Sequence, residues 1–368
     1  MSKLINIYIS SIHQNAGKTM ISLGLYNIFR EQKLRTAFMK PVGQQFVTVK
    51  DLNVDKDTYL IGEVYGCKRQ LKDMSPVTIG PGFTEKYIFN PQKETMRNEI
   101  EKSFKKLTKD QDAIIVEGTG HAGVGSVIDL SNADVASLLG SKVIIVSEGG
   151  IGKTIDEIML NKALFDMKNV EILGVIVNKV LPEKFEKIRK AVEQGLKNKG
   201  TRLLGVIPVD AILSAPTIDQ VMTRLELKLL CGEKNLNRRV QKTIVAAMEP
   251  HNMVNYLREG TLLLTSGDRV DNIMVAMSSH LMSEPQKSQV SGMILTGGLI
   301  PNPKIIELLK RSRIPILISN EDTYTVAGKV EHLICKIQKT DKDKIAEALQ
   351  VVRDNVDIGA ILDAFKES

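Results

Sequence analysis

Apolar residues along this chain fall into short continuous runs, separated by stretches with helical spacing. "LINIYIS" from Leu4 is a brief run rich in β-branched residues, and it stops at a Gly-Lys-Thr loop. "TMISLGLYNIFREQK" follows, with Ile21, Leu25 and Ile28 near one helical face. The unit predicts a strand, a loop and a helix. "RTAFMKPV" predicts a second strand, stopped by Pro41. "DAIIVEGTG", "KVIIVSEGG", "VEILGVIVNKV" and "RLLGVIP" predict four more. Helical patterns such as "GKTIDEIMLNKALFDMK" separate most of them. Apolar strands alternating with helices predict an α/β fold with a mainly parallel, doubly wound sheet covered on both faces. The insert from about Gln44 to Thr108 is less regular, with Gly/Pro punctuation in "IGPGF" before a charged helix.

The pattern then restarts. "KTIVAAM", "TLLLTSGD", "SGMILTGG" and "IPILISN" predict four strands of a second, smaller α/β domain. "RLELKLLCGEKNLNRR" reads as a polar helical stretch between the two. The predicted boundaries are therefore 1–216 for the first domain, 217–239 for a linker and 240–368 for the second domain. "KDKIAEALQVVRDNV" would close the second domain as a C-terminal helix.

Composition narrows the function. Of 368 residues, 43% are hydrophobic, enough for sizeable cores. The net charge is +7, but the basic residues are scattered and aromatics make up 4%, which argues against nucleic-acid binding. A basic surface favours small anions. Cys67, Cys231 and Cys335 are distant and odd in number, as expected of structural thiols in a reducing compartment. No apolar run approaches the ~20 residues that span a bilayer. The N-terminus is too short and too β-like for a signal peptide, so the expected location is cytoplasmic.

The first strand-to-helix turn carries the chemistry. A loop opening onto a helix N-terminus presents free N–H groups and a positive dipole end, which is an anion site. In "SSIHQNAGKT", Gln14, Asn15, Ala16 and Gly17 would wrap a phosphate, Lys18 would reach the β/γ-phosphates and Thr19 would ligate Mg²⁺. Ile12 stands where the pattern G-x-x-x-x-G-K-[ST] opens with glycine. Glu117, at the C-terminal end of its strand, could hold Mg²⁺ directly or through water. Asn178 ends another buried strand, where its amide could pair with a purine edge or serve as a strand-end cap. Leu181 takes the place of the aspartate that pairs with guanine in N-K-x-D, so adenine is the expected base.

In the order "SIHQNAGKT", "KPVG", "VEGTG", "GVIVN" and "LLGVIP", the first 221 residues resemble dethiobiotin synthetase, a Mg-ATP-dependent P-loop enzyme. That resemblance implies a P-loop NTPase-type fold. It implies Lys18 and Thr19 as phosphate and Mg²⁺ residues, Glu117 and Asp57 as metal ligands, and Lys40 as the catalytic lysine beside the γ-phosphate. Asp55 competes with Asp57. Asn178 would contact adenine and Pro208 would begin the loop over the base. The substrate motifs depart from the family. "VGQQF" follows Lys40-Pro41, and "GTGHAGVGSVIDLSNADVA" follows Glu117. His121 in that loop is a candidate acid–base group, a ligand contact or simply an exposed residue.

The second region resembles a DRTGG domain through "GDR" at Gly267–Arg269, "LTGG" at Leu295–Gly298 and "DTYTVA" at Asp322–Ala327. The same pair of domains forms the N-terminal region of long phosphate acetyltransferases. The resemblance implies a stand-alone version of that region, a nucleotide-sensing protein dimerised through its DRTGG domain, with a metabolic enzyme as a candidate partner. The transacetylase domain, over ~300 residues by domain-size reasoning, has no room before Ser368, so no acetyl transfer is expected. The alternative is an ATP-dependent ligase of the dethiobiotin or cobyrinic acid a,c-diamide synthase class. Asp268 and Arg269 would bind a ligand or pair with a neighbouring charge.

Overall fold

Continuous apolar runs became buried parallel strands. The computed structural model describes residues 4–67, 70–282, 290–333 and 336–366; Cys335 lies outside them. The chain divides into two units, Met1–Leu213 with Ile337–Ser368, and Ser214–Lys336. Strands of the first unit are β1 (Ile5–Ser11), β2 (Thr36–Met39), β3 (Val42–Gly43), β4 (Phe46–Val49), β5 (Leu52–Asp55), β6 (Val77–Thr78), β7 (Ala113–Glu117), β8 (Lys142–Glu148), β9 (Ile172–Val180) and β10 (Leu203–Pro208). Six of these form one sheet in the order β10-β9-β8-β1-β7-β2, every pairing parallel. The other four pair locally as β3 with β6 and β4 with β5, which is why the insert looked irregular.

Strand order places the ligand crevice. From β1 the chain runs towards β7 and β2, and from β8 it runs towards β9 and β10. The order reverses between β1 and β8, and such a switch point opens a crevice at the C-terminal strand ends. The helix α1 (Lys18–Glu31) begins there, directly after the phosphate loop.

The second unit holds β11 (Lys228–Cys231), β12 (Lys242–Val245), β13 (Thr261–Ser266), β14 (Val290–Thr296) and β15 (Ile316–Ile318), in the order β11-β15-β14-β13-β12. β12 to β15 run parallel and β11 pairs antiparallel with β15. Separate apolar clusters cover the two faces of the sheet.

Two expectations need correction. The stretch 217–239 is not a helical linker. A capped helix at Ile218–Arg224 ends in a turn at Leu225 and Glu226, the latter at φ 54°, and Lys228–Cys231 then forms the edge strand β11. The C-terminal helix does not belong to the second unit either. The helices Lys342–Asn355 and Ile358–Lys366 pack on the first, with Ala348, Val352 and Ile361 buried in its core. Arg353 pairs with Glu31 of α1 at 2.6 Å, and the Asp357 N–H donates to the Leu204 carbonyl at 2.7 Å. Long-range packing of this kind leaves no local signature.

Gly24 of α1 makes the contact possible. A Cβ on Gly24 would lie 2.4 Å from Val352 Cβ. Gly24→Val should therefore overpack the interface, lowering stability by about 1–3 kcal/mol. Thermal unfolding reads this, and an unchanged Tm would contradict the packing.

Candidate nucleotide site

Parallel strands deliver the predicted residues to one edge. Lys40 follows β2, Glu117 ends β7, the phosphate loop follows β1, Asn178 lies near the end of β9 and Pro208 ends β10. Pro208 is in register with Val180, two residues past Asn178.

The loop itself is built without its opening glycine. Ile12 is buried in the core of the first unit, and its N–H donates to the Val146 carbonyl at 3.0 Å. The chain is thus anchored by apolar packing where a glycine would otherwise stand. Asn15 adopts φ 66° and Gly17 φ 106°, both left-handed. Gly17 is doubly constrained, because a Cβ there would lie 2.1 Å from Asn178 Nδ2. Asn178 Nδ2 donates to the Ala16 carbonyl at 2.8 Å, and Asn178 Oδ1 accepts from the Lys179 N–H at 2.9 Å. Gln14 Nε2 lies 3.4 Å from Gln44 Oε1, linking the loop to the segment after Lys40. Lys18, itself buried, donates to Ser11 Oγ at 2.7 Å.

Beneath the loop lies a dry charge cluster. Lys40 is 5% exposed and Glu117 1%. Lys40 Nζ contacts Asp57 Oδ2, Glu117 Oε1 at 3.3 Å and Asp55 Oδ1 at 3.4 Å. Glu117 also accepts from Thr19 Oγ1 at 3.0 Å and Ser22 Oγ at 2.8 Å. Burial opposes the Lys40 charge, but Asp57, Glu117 and Asp55 outweigh it and hold its pKa well above the ordinary lysine value. Burial raises the Glu117 pKa, and Asp57 adds to the rise, while Lys40 and Lys18 pull it back. Asp55 and Asp57 differ in freedom. Asp55 caps the helix α2 (Lys56–Tyr65), accepting from the Asp57 N–H at 2.9 Å.

Does this donor set fit Mg²⁺? Among the described residues no metal-ready cluster of three His, Cys, Asp or Glu forms. Mg²⁺ does not require one, since it keeps waters and binds one or two carboxylates plus substrate phosphates. Thr19 Oγ1, Glu117 and Asp57 are hard oxygen donors around Lys40. Lys40 alone contacts three carboxylates, with Lys18 adding its charge near Glu117, so the cluster suits added positive charge. The residues fit.

Several participants escaped the sequence pattern. Ser22 sits three residues after Thr19 on the same side of α1, a spacing that was available to read. Asn132 gave no signal. It accepts from Tyr8 Oη at 2.8 Å and the Thr119 N–H at 3.0 Å, and donates to the Thr119 and His121 carbonyls. It thereby fixes the loop after Glu117. His121 is exposed, and its Nδ1 accepts from the Gly123 N–H at 3.2 Å. A small cleft of about 40 Å³ adjoins this loop, lined by Val42, Ile79, Thr119, Val127 and Leu130 among others. In the second unit, Arg269 pairs with Asp271 at 2.9 Å.

Comparison with known proteins follows the same division. Residues 5–217 match the AAA domain family AAA_26, and residues 220–333 match the DRTGG domain. Phosphate acetyltransferase of Nitratidesulfovibrio vulgaris is 28% identical over 361 residues, covering 96% of this chain and 50% of that protein. Phosphate acetyltransferase of Synechocystis is 25% identical, covering 98% of this chain and 52% of that protein. The chain spans about half the length of these relatives. Among solved structures, a plasmid partition protein of Borrelia burgdorferi bound to AMPPNP aligns with TM-score 0.39 at 17% identity, covering 57% of this chain and 90% of that one. No helix among the described residues is long and apolar enough to cross a membrane.

Proposed function

This chain belongs to the AAA_26 family of AAA domains and continues into a DRTGG domain, and from that premise we propose that it is a Mg-ATP-binding regulatory protein. One observation carries the proposal: Lys18, Thr19, Glu117 and Lys40 converge at the phosphate loop, on the switch-point edge of a parallel sheet. The α1 N-terminus and Lys18 would take the phosphates. Thr19, with Glu117 and Asp57, would hold Mg²⁺, which supplies charge neutralisation at the β/γ-phosphates. Lys40 would stay protonated and face the terminal phosphate. Asn178 and Pro208 would border the base, with adenine favoured because Leu181 replaces the guanine-pairing aspartate. Cytoplasmic location and a homodimer through the DRTGG unit belong to the same proposal. On that unit, Ile300 and Tyr324 are exposed apolar side chains.

The retained Lys40, held against Glu117 at the phosphate loop, favours a second reading, in which a small second substrate binds there and is activated by phosphorylation. Phosphate release separates the two. A panel of carboxylates, and of diamines with bicarbonate, should leave the ATP-only rate unchanged. Robust stimulation by any of them would replace the regulatory reading with the ligase one.

A further inference from the structure

The phosphate loop is tied down by side chains outside the Gly-Lys-Thr motif. Lys179 Nζ donates to the Asn15 carbonyl at 2.8 Å and pairs with Glu148 Oε1 at 2.6 Å. Glu148 Oε2 lies 3.2 Å from His13 Nε2. Glu148 ends β8 and Lys179 follows Asn178 in β9, so two strand ends reach over to the loop. Lys179 itself has left-handed backbone at φ 56°, an unfavourable conformation for a lysine. Strain of this kind persists where surrounding contacts over-determine it.

Peptide planarity turns these tethers into a statement about the ligand. A carbonyl and the following N–H share one rigid plane and point in opposite directions. Lys179 holds the Asn15 carbonyl, so the Ala16 N–H faces the other way. Asn178 holds the Ala16 carbonyl, so the Gly17 N–H does the same. Among the described residues, no protein acceptor takes the N–H of Ala16 or Gly17. Consecutive N–H groups turned to one side make an anion-binding nest.

We infer that Lys179, oriented by Glu148, is a positioning residue that pre-arranges this nest for the phosphate chain of the nucleotide. The inference rests on the nucleotide reading above. Lys179 acts through the loop backbone and not through the base. Its loss should therefore weaken any polyphosphate to the same degree, with or without a nucleoside.

Calorimetric titration with Mg-ATP and with Mg-tripolyphosphate tests this on the full chain. Lys179→Ala should weaken both ligands by the same factor, about tenfold, as expected for a lost hydrogen bond to a charged group. Lys179→Arg should recover most of the affinity, and Glu148→Gln should lose part of it. The unfolding temperature of the unliganded protein should stay within a degree or so of wild type, since surface charge pairs contribute little. Unchanged affinity for both ligands in Lys179→Ala would overturn the inference. So would a loss confined to ATP, which would make Lys179 a base contact. Wild-type protein that binds neither ligand would overturn the nucleotide reading itself, and this inference with it.

Discussion

Lys40→Met should cost the first unit about 3–5 kcal/mol of stability near pH 8, because it strands buried carboxylates without their cation. Asp55, Asp57 and Glu117 all contact the Lys40 ammonium in a nearly dry cluster. Lys40 pulls the Glu117 pKa down against burial and Asp57, so its removal lets that pKa climb further. The sign of the pH dependence follows. An acid whose folded pKa lies above its unfolded value contributes stability at low pH and loses it as pH rises through the folded pKa. The deficit of Lys40→Met should therefore shrink as pH falls from 8 towards 5 and Glu117 recovers its proton. Lys40 titrates with the same sign in the wild type, but in a higher pH window. Its raised pKa keeps its contribution intact at all pH values below the ordinary lysine range, and loss comes only above it. Urea unfolding of both proteins at pH 5 and 8 measures this. An equal deficit at the two pH values, or none, would mean that Lys40 is not the counter-ion of the cluster.

Lys18→Ala should weaken Mg-ATP binding about a hundredfold or more, with little change of fold. Truncating one partner of a desolvated, hydrogen-bonded charge pair typically costs 2–5 kcal/mol or more. Lys18 is buried at the first turn of α1 and held by Ser11 Oγ, so its ammonium is placed before any ligand arrives. Ser11 Oγ lies 2.5 Å from the His13 carbonyl and 3.0 Å from the Gly120 carbonyl and shares its one proton between them, which ties the lysine to the loop. Equilibrium titration with ATP reads the effect. Undiminished affinity in Lys18→Ala would move the nucleotide away from this loop.

The sheet of the first unit was legible because buried parallel strands are written as unbroken apolar runs. All six strands of that sheet were visible in this way, from β1 to β10. The edge strand β11 was missed because its four residues, Lys228–Cys231, are too few to show a period, and Leu225 and Leu229 also fit helical spacing. The return of the C-terminal helices to the first unit was missed because nothing local marks which core an amphipathic helix will join. Gly24 records that contact, yet a glycine inside a helix has many readings until Val352 is seen against it.

The candidate site divides in the same way. Residues brought to the loop by their place on a strand end or at a helix start, such as Lys18, Thr19 and Glu117, could be named as candidates from spacing. Residues that act through long-range hydrogen bonds could not. Asn132 lies 124 positions from Tyr8, and Lys179 lies 164 from Asn15. Ile12 changed meaning altogether. In sequence it was a missing glycine, and in the fold it is a core residue that fixes where the loop begins.

The central claim is that the first unit binds Mg-ATP through the loop Gln14–Thr19. Calorimetric titration of the full chain with ATP, GTP and CTP, each with and without Mg²⁺, tests it most directly. Saturable ATP binding in the micromolar range, strengthened by Mg²⁺ and weaker for GTP and CTP, is the predicted result. No saturable binding of any nucleotide up to millimolar concentration would contradict the account.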